Sequence, residues 1–166
     1  MVSGLNIVDK IVIAVGVSVF LGMVSGFKVT INYTNSIPKG LYFIQKGTAS
    51  KGEYTLLTKK ELLDFATSRG YIVKGSYIGK KVAATMGDTV VVSRRGVYIN
   101  NIKQPDSQPK DFDQAHRSMP NNVGTYILNK NEVFLLGETT NSFDSRYFGK
   151  VKSKYLKGIL VPILTF

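Results

Sequence analysis

Asn35-Ser36-Ile37-Pro38-Lys39-Gly40 follows closely on an apolar run that ends at Phe27. Pro38 stiffens the chain two residues after Ser36, and Gly40 lets it turn. Eight residues separate Phe27 from Ser36. An extended chain spans at most ~3.3–3.6 Å per residue, so Ser36 stays within about 30 Å of whatever holds the run.

Upstream, Ile11 to Phe27 is seventeen residues without a charge. As a helix it would span roughly 25 Å, slightly short of the ~30 Å hydrocarbon core of a bilayer. Three readings fit: a retained membrane anchor, a cleaved signal peptide with Val24 and Gly26 before the cut, or a buried core helix. The anchor is the leading one and assigns residues 1–28 to the membrane and 29–166 to one folded domain. Gly22 and Gly26 have the spacing of a close-packing helix pair. Asp9, Lys10 and Lys28 flank the run with balanced charge and give little orientation.

Downstream, the pattern is that of a mainly β domain. Val29, Ile31 and Tyr33 alternate with polar residues, and Leu41 to Ile44 is a short apolar run. The stretch 59–69 reads as a helix with Leu62, Leu63, Phe65 and Ala66 on its inner stripe. Thr58 is the expected N-cap, with Glu61 completing a capping box, and Gly70 ends the helix. Tyr71 to Ala84 reads as strand, Gly87-Asp88 as a turn, and Thr89 to Val92, Val97 to Ile99, Tyr126 to Leu128 and Val133 to Leu136 as further strands. Residues 103–124 form a long polar loop, a length more often functional than structural. Leu156 to Leu164 reads as a last core or edge strand, or as a surface dipping into lipid.

Composition narrows the chemistry. The 166 residues carry a net charge of +11 and contain no cysteine and one histidine. The charge favours anionic partners such as lipid headgroups. The basic residues are scattered rather than interleaved with aromatics, so no nucleic acid is expected. Disulfides and thiolate sites are excluded, and His116 alone cannot build a multi-histidine metal site. No metal or cofactor is expected. His116 reads as a loop residue without a role.

A serine needs a base to become a nucleophile. With one histidine available, the alternative is a neutral lysine, kept uncharged by burial. Lys80 and Lys81 precede Val82-Ala83-Ala84-Thr85-Met86-Gly87-Asp88, and adjacent strand residues face opposite ways. Either lysine could then face a site. Gly137-Glu138-Thr139-Thr140-Asn141-Ser142-Phe143-Asp144-Ser145-Arg146-Tyr147-Phe148-Gly149 gathers hydroxyls, an acid and an arginine. It reads either as a hydrogen-bonded turn with an Asp144–Arg146 pair or as a polar shell that orients the base.

These three stretches, in this order, resemble the motifs of the signal peptidase I clan of serine–lysine proteases. Thr34 to Tyr42, and Arg69-Gly70-Tyr71 before the lysine stretch, resemble its TraF branch, the conjugative-transfer peptidases. The resemblance implies a signal-peptidase-like β-rich domain behind one N-terminal transmembrane helix. It implies Ser36 as nucleophile and Lys80, eight residues before Asp88, as general base. It gives Ser142 the task of hydrogen-bonding the Lys80 amine, and makes Asp144 and Arg146 a supporting pair. Thr34 and the Ser36 backbone N–H would form the oxyanion hole. The implied substrate is a pilin precursor or another exported protein, cleaved through an acyl-enzyme that water or the substrate's own amino terminus resolves. The implied location is the bacterial inner membrane, single-pass, with the catalytic domain in the periplasm and lipid as a further partner. Met86 stands where the family has proline, Glu138 where it has aspartate, and the last box is one residue shorter than in the commonest leader peptidases. A general leader peptidase and a non-enzymatic envelope scaffold are the rival readings.

Overall fold

The computed structural model describes residues 6–24 and 28–166, and only the backbone of residues 19–24. Gly26 and Phe27 lie outside the described residues. The helix α1 spans Ile7–Val24. Asn6 accepts from the Asp9 N–H at 2.9 Å, and the Asp9 carboxylate accepts from the Asn6 N–H at 3.2 Å, a reciprocal cap. Ile7, Val8, Val12 and Val17 are exposed, so α1 is not a core helix. Among the described residues no helix is long and apolar enough to cross a membrane.

The remaining chain is mainly β. Lys28–Asn32 (β1), Gly40–Gln45 (β2), Tyr54–Leu57 (β3), Ile78–Ala84 (β4), Glu132–Leu136 (β9), Val151–Lys152 (β10) and Leu156–Thr165 (β11) form a seven-stranded sheet. Its order is β1-β2-β11-β3-β4-β9-β10. Thr89–Ser93 (β5), Gly96–Ile99 (β6), Ile102–Lys103 (β7) and Gly124–Ile127 (β8) form a second sheet in the order β7-β6-β5-β8. The helix α2 spans Lys60–Ser68 and a single turn, α3, spans Ser145–Phe148.

β9 explains how the two sheets join. All five of its residues are buried. Val133 and Leu135 enter a core with Leu57, Ala66, Ile78 and Val82. Phe134 and Leu136 enter a second core with Val90, Val92, Val97 and Ile99. A strand covered on both faces reads as an unbroken apolar run rather than an alternating one. Its neighbour β4 alternates strictly between buried and half-buried positions, which sends Lys80 inward and Lys81 outward.

Two expectations change, the start of the strand after α2 and the cap of α2. Strand geometry begins at Ile78 rather than Tyr71, because the chain turns at Gly70 (φ 71°) and Gly75 (φ 87°). Thr58 does not cap α2: its hydroxyl donates to the Tyr155 carbonyl at 2.9 Å, and Lys59 occupies the cap position without a side-chain bond. Gly70 and Tyr71 close the helix by donating to the Thr67 and Ala66 carbonyls. The final strand is interior in its pairing, between β2 and β3, with Pro162 at a bulge where its missing N–H is tolerated. Its outer half, including Ile163 and Leu164, is exposed. Met86 leaves the 85–88 turn intact. The Asp88 carboxylate accepts from the Thr85 N–H at 2.9 Å, from Asn100 at 2.6 Å and from Lys51 at 2.9 Å.

Candidate active site

The loop between β1 and β2 carries Ser36, and one side chain shapes it. Asn32 Nδ2 donates to the carbonyls of Thr34 at 2.7 Å, Ile37 at 2.9 Å and Pro38 at 3.1 Å. Asn32 Oδ1 accepts from the Thr34 N–H at 3.2 Å and from its hydroxyl at 2.8 Å. Tyr42 adds a bond from its hydroxyl to the Pro38 carbonyl at 2.6 Å. The turn is therefore held from inside by an asparagine four residues before the serine, a role that short amides favour. Sequence reasoning passed over Asn32. Its place at the end of an alternating strand was the available signal.

Two glycines bring the separate motifs together. Ile37 is 1% exposed and packs with Tyr42, Leu56 and Leu160. A β-carbon on Gly79 would meet Ile37 Cδ1 at 3.0 Å, so the residue before Lys80 is bare where the residue after Ser36 packs. On the other side, the Glu138 N–H donates to the Ser36 carbonyl at 2.9 Å. A β-carbon on Gly137 would lie 2.0 Å from Ser142 Oγ. Ser142 Oγ donates to Ser36 Oγ at 3.5 Å, a long contact of the kind that tightens when substrate arrives. The expected bond from Ser142 to the Lys80 amine is not found among the described residues.

Ser36, Lys80 and Ser142 line one cleft of about 1080 Å³. Lys80 is 2% exposed, and its side chain makes no ion pair or hydrogen bond among the described residues. Burial pushes its amine down to about 8; Asp144 opposes that shift and Arg146 reinforces it. A lysine in this setting is partly neutral near physiological pH, as a general base requires.

Asp144 and Arg146 are both fully buried and bound to each other twice, at 2.8 and 2.7 Å. The carboxylate also accepts from the N–H groups of Gly137 at 2.8 Å and Arg146 at 3.1 Å. The guanidinium donates to the carbonyls of Thr139 at 2.7 Å, Ser142 at 3.2 Å and Asp106 at 2.9 Å. Burial alone would depress the arginine, but the Asp144 hydrogen bond and charge outweigh it and raise its pKa. The pair thus fixes the 139–142 loop, and with it the position of Ser142. Thr34 lines the cleft, yet its hydroxyl proton points to Asn32 rather than into the site. Glu138 accepts a short hydrogen bond from the Tyr54 hydroxyl, which ties β3 to the residue that pins Ser36.

Comparison with known proteins bears on the family of the chain. The family model "Signal peptidase, peptidase S26" matches residues 4–164. A plasmid transfer protein TraF of Escherichia coli is 34% identical over 167 residues, covering 93% of this chain and 94% of its own length. A conjugal transfer protein TraF of Agrobacterium tumefaciens (strain 15955) is 28% identical over 166 residues, covering 91% of this chain and 93% of the relative. Among solved structures, a signal peptidase I from Enterococcus faecalis V583 matches with a TM-score of 0.41 at 20% identity, over 71% of this chain and 99% of that one. A family match across almost the whole length, joined by a relative at 34% identity, leads to one conclusion: the chain belongs to the signal peptidase S26 family.

Proposed function

We propose that this protein is a membrane-anchored serine peptidase with a Ser36–Lys80 dyad, and that it matures the precursor of a conjugative pilin. The observation that carries the reading is the burial of the Lys80 side chain, which makes no ion pair among the described residues, on the face of β4 that shares a cleft with Ser36. Ser36 Oγ attacks the scissile carbonyl carbon as its proton passes to neutral Lys80 Nζ. The tetrahedral intermediate collapses, the C–N bond breaks, and the Lys80 ammonium returns the proton to the leaving amine. An ester on Ser36 remains. Water resolves it to a linear product, or the substrate's own amino terminus resolves it to a circular one. Ser142 and the Asp144–Arg146 pair hold the geometry. The Ser36 N–H is the proposed oxyanion donor, and Thr34 would join it on releasing Asn32.

Residues 1–28 are the proposed anchor and residues 29–166 the catalytic domain, on the periplasmic side of the inner membrane. The apolar side chains exposed along α1, and the short link from there to Ser36, support this. A substrate held in the same bilayer would present its cleavage site close to the surface. The substrate class rests on the transfer proteins named TraF to which the chain is similar. The test is processing of a conjugative pilin precursor by the full chain and by Ser36→Ala and Lys80→Ala. Loss in both variants at normal accumulation supports the dyad. Full processing by Ser36→Ala would leave a scaffold role instead. The mass of the product separates linear from circular, since the circular product is one water lighter.

A further inference from the structure

Most of the 103–124 stretch is not used by the dyad, yet part of it is highly ordered. Residues 111–119 double back as a small hairpin. Phe112 pairs with Ser118, the Met119 N–H donates to the Asp111 carbonyl at 2.9 Å, and the Asp113 N–H donates to the Arg117 carbonyl at 2.9 Å. His116 turns the tip with φ 57°. The hairpin is fastened by the Asp113 carboxylate. It accepts from the N–H groups of Ala115 and Arg117 at 2.9 Å and from Arg117 Nε at 2.8 Å, all within the hairpin. It also accepts from the Tyr71 hydroxyl at 2.7 Å, just past α2. Two guanidinium bonds complete the fastening: the Arg117 side chain donates to the Arg69 carbonyl and the Arg69 side chain to the Ser118 carbonyl, each at 2.8 Å. Burial raises the Asp113 carboxyl, but the bonds from Tyr71, Arg117 and Ala115 outweigh it and hold it well below the usual carboxylate range.

The hairpin lines the same cleft as Ser36 and Lys80. Phe112 is 56% exposed there although it is a large apolar side chain, and the half-buried Met119 lies on the returning strand. A cleft of about 1080 Å³ is at the upper end for a small ligand, and this one is continuous with the proposed nucleophile. That continuity selects the occupant, a polypeptide running away from the bond being cut. We propose that the 111–119 hairpin is the outer wall of the peptide-binding cleft, that Asp113 positions it, and that Phe112 grips an apolar substrate side chain away from the scissile bond. The proposal rests on the serine–lysine reading of Ser36 and Lys80. It adds a source of selectivity distant from the reacting atoms.

The test compares two probes. One is a quenched-fluorescent peptide of about twelve residues, about 40 Å when extended, chosen from a random library by the wild-type protein's own cleavage. The other is its central core of about four residues. Phe112→Ala and Asp113→Asn are expected to raise KM for the long peptide about tenfold with kcat unchanged, and to leave kcat/KM for the short one unchanged. Equal losses on both peptides would overturn the proposal, since they would mean a structural effect reaching Ser142 through Tyr71 and Phe143, whose rings lie 5.5 Å apart. Unchanged kinetics on both would overturn it as well. If Asp113→Asn does not fold, the exposed Phe112→Ala decides alone. Failure of the dyad reading looks different: Ser36→Ala would still cleave both peptides.

Discussion

Gly137 stands directly against Ser142: a β-carbon there would fall 2.0 Å from the Ser142 hydroxyl oxygen and 3.2 Å from the Ser36 carbonyl oxygen. One missing methyl therefore lets the loop of the last motif close over the turn of the first. Gly137→Ala is expected to push Ser142 away from Ser36. A displacement near 1 Å costs about a hundredfold in rate. Peptide cleavage by a variant with a native circular dichroism spectrum checks this, and activity near wild type would contradict it.

The Lys80 amine makes the pH dependence specific. At about 8 in the folded protein, roughly one amine in ten is neutral at pH 7, and the rate should climb through pH 8 and level off above it. A profile of kcat/KM from pH 6 to 10 reads this directly. A midpoint near that of a free lysine would mean that the amine is solvated in the working enzyme.

The same shift affects stability with a defined sign. The unfolded amine titrates at 10.5 and the folded one at about 8. Between those values the unfolded chain holds a proton that the folded chain does not, so stability rises with pH across the window and is lost as pH falls through it. The span corresponds to about 3 kcal/mol. Lys80→Met should remove this slope, so the difference between variant and wild type in urea melts should shrink by that amount from pH 8 to 10.5.

Asn32 organises the nucleophile turn without touching a reacting atom. Asn32→Asp keeps acceptors for Thr34 but loses the donor shared by three carbonyls. We expect a loss of about 1–2 kcal/mol in stability. The rate should fall ten- to a hundredfold through kcat, and the new carboxylate in the cleft that Lys80 lines should move the pH midpoint up.

Arg146 joins the buried Asp144 to five backbone carbonyls, those of Asp106, Gln108, Thr139, Thr140 and Ser142. Arg146→Met leaves that carboxylate buried and unpaired, which typically costs about 3–5 kcal/mol. Denaturant melts should show the loss. The double variant Asp144→Leu with Arg146→Met should recover part of it.

Much of the site was legible because its chemistry is local. That Lys80 and Lys81 face opposite ways follows from strand alternation, the resemblance picks Lys80 of the two, and Asp144 with Arg146 lie within one turn. The contacts that assemble the site were not legible, because they are distances between segments far apart in the chain. Nothing in Gly79 or Gly137 as letters announces which side chain needs the space. Asn32 resembles any polar residue at a strand end. Thr58 followed by Glu61 satisfied a helix-start pattern, but the Tyr155 carbonyl, ninety-seven residues away, took the Thr58 hydroxyl. The 111–119 part of the polar loop looked shapeless because its order comes from one carboxylate rather than from periodicity.

The position of Leu156–Thr165 between β2 and β3 has a consequence for biosynthesis. The ribbon bearing Ser36 and the strands bearing Lys80 are neighbours in the sheet only through this late segment. A ribosome must finish those residues before ribbon and strands can join in one sheet, so on the proposed reading nucleophile and base are brought to register only late in synthesis.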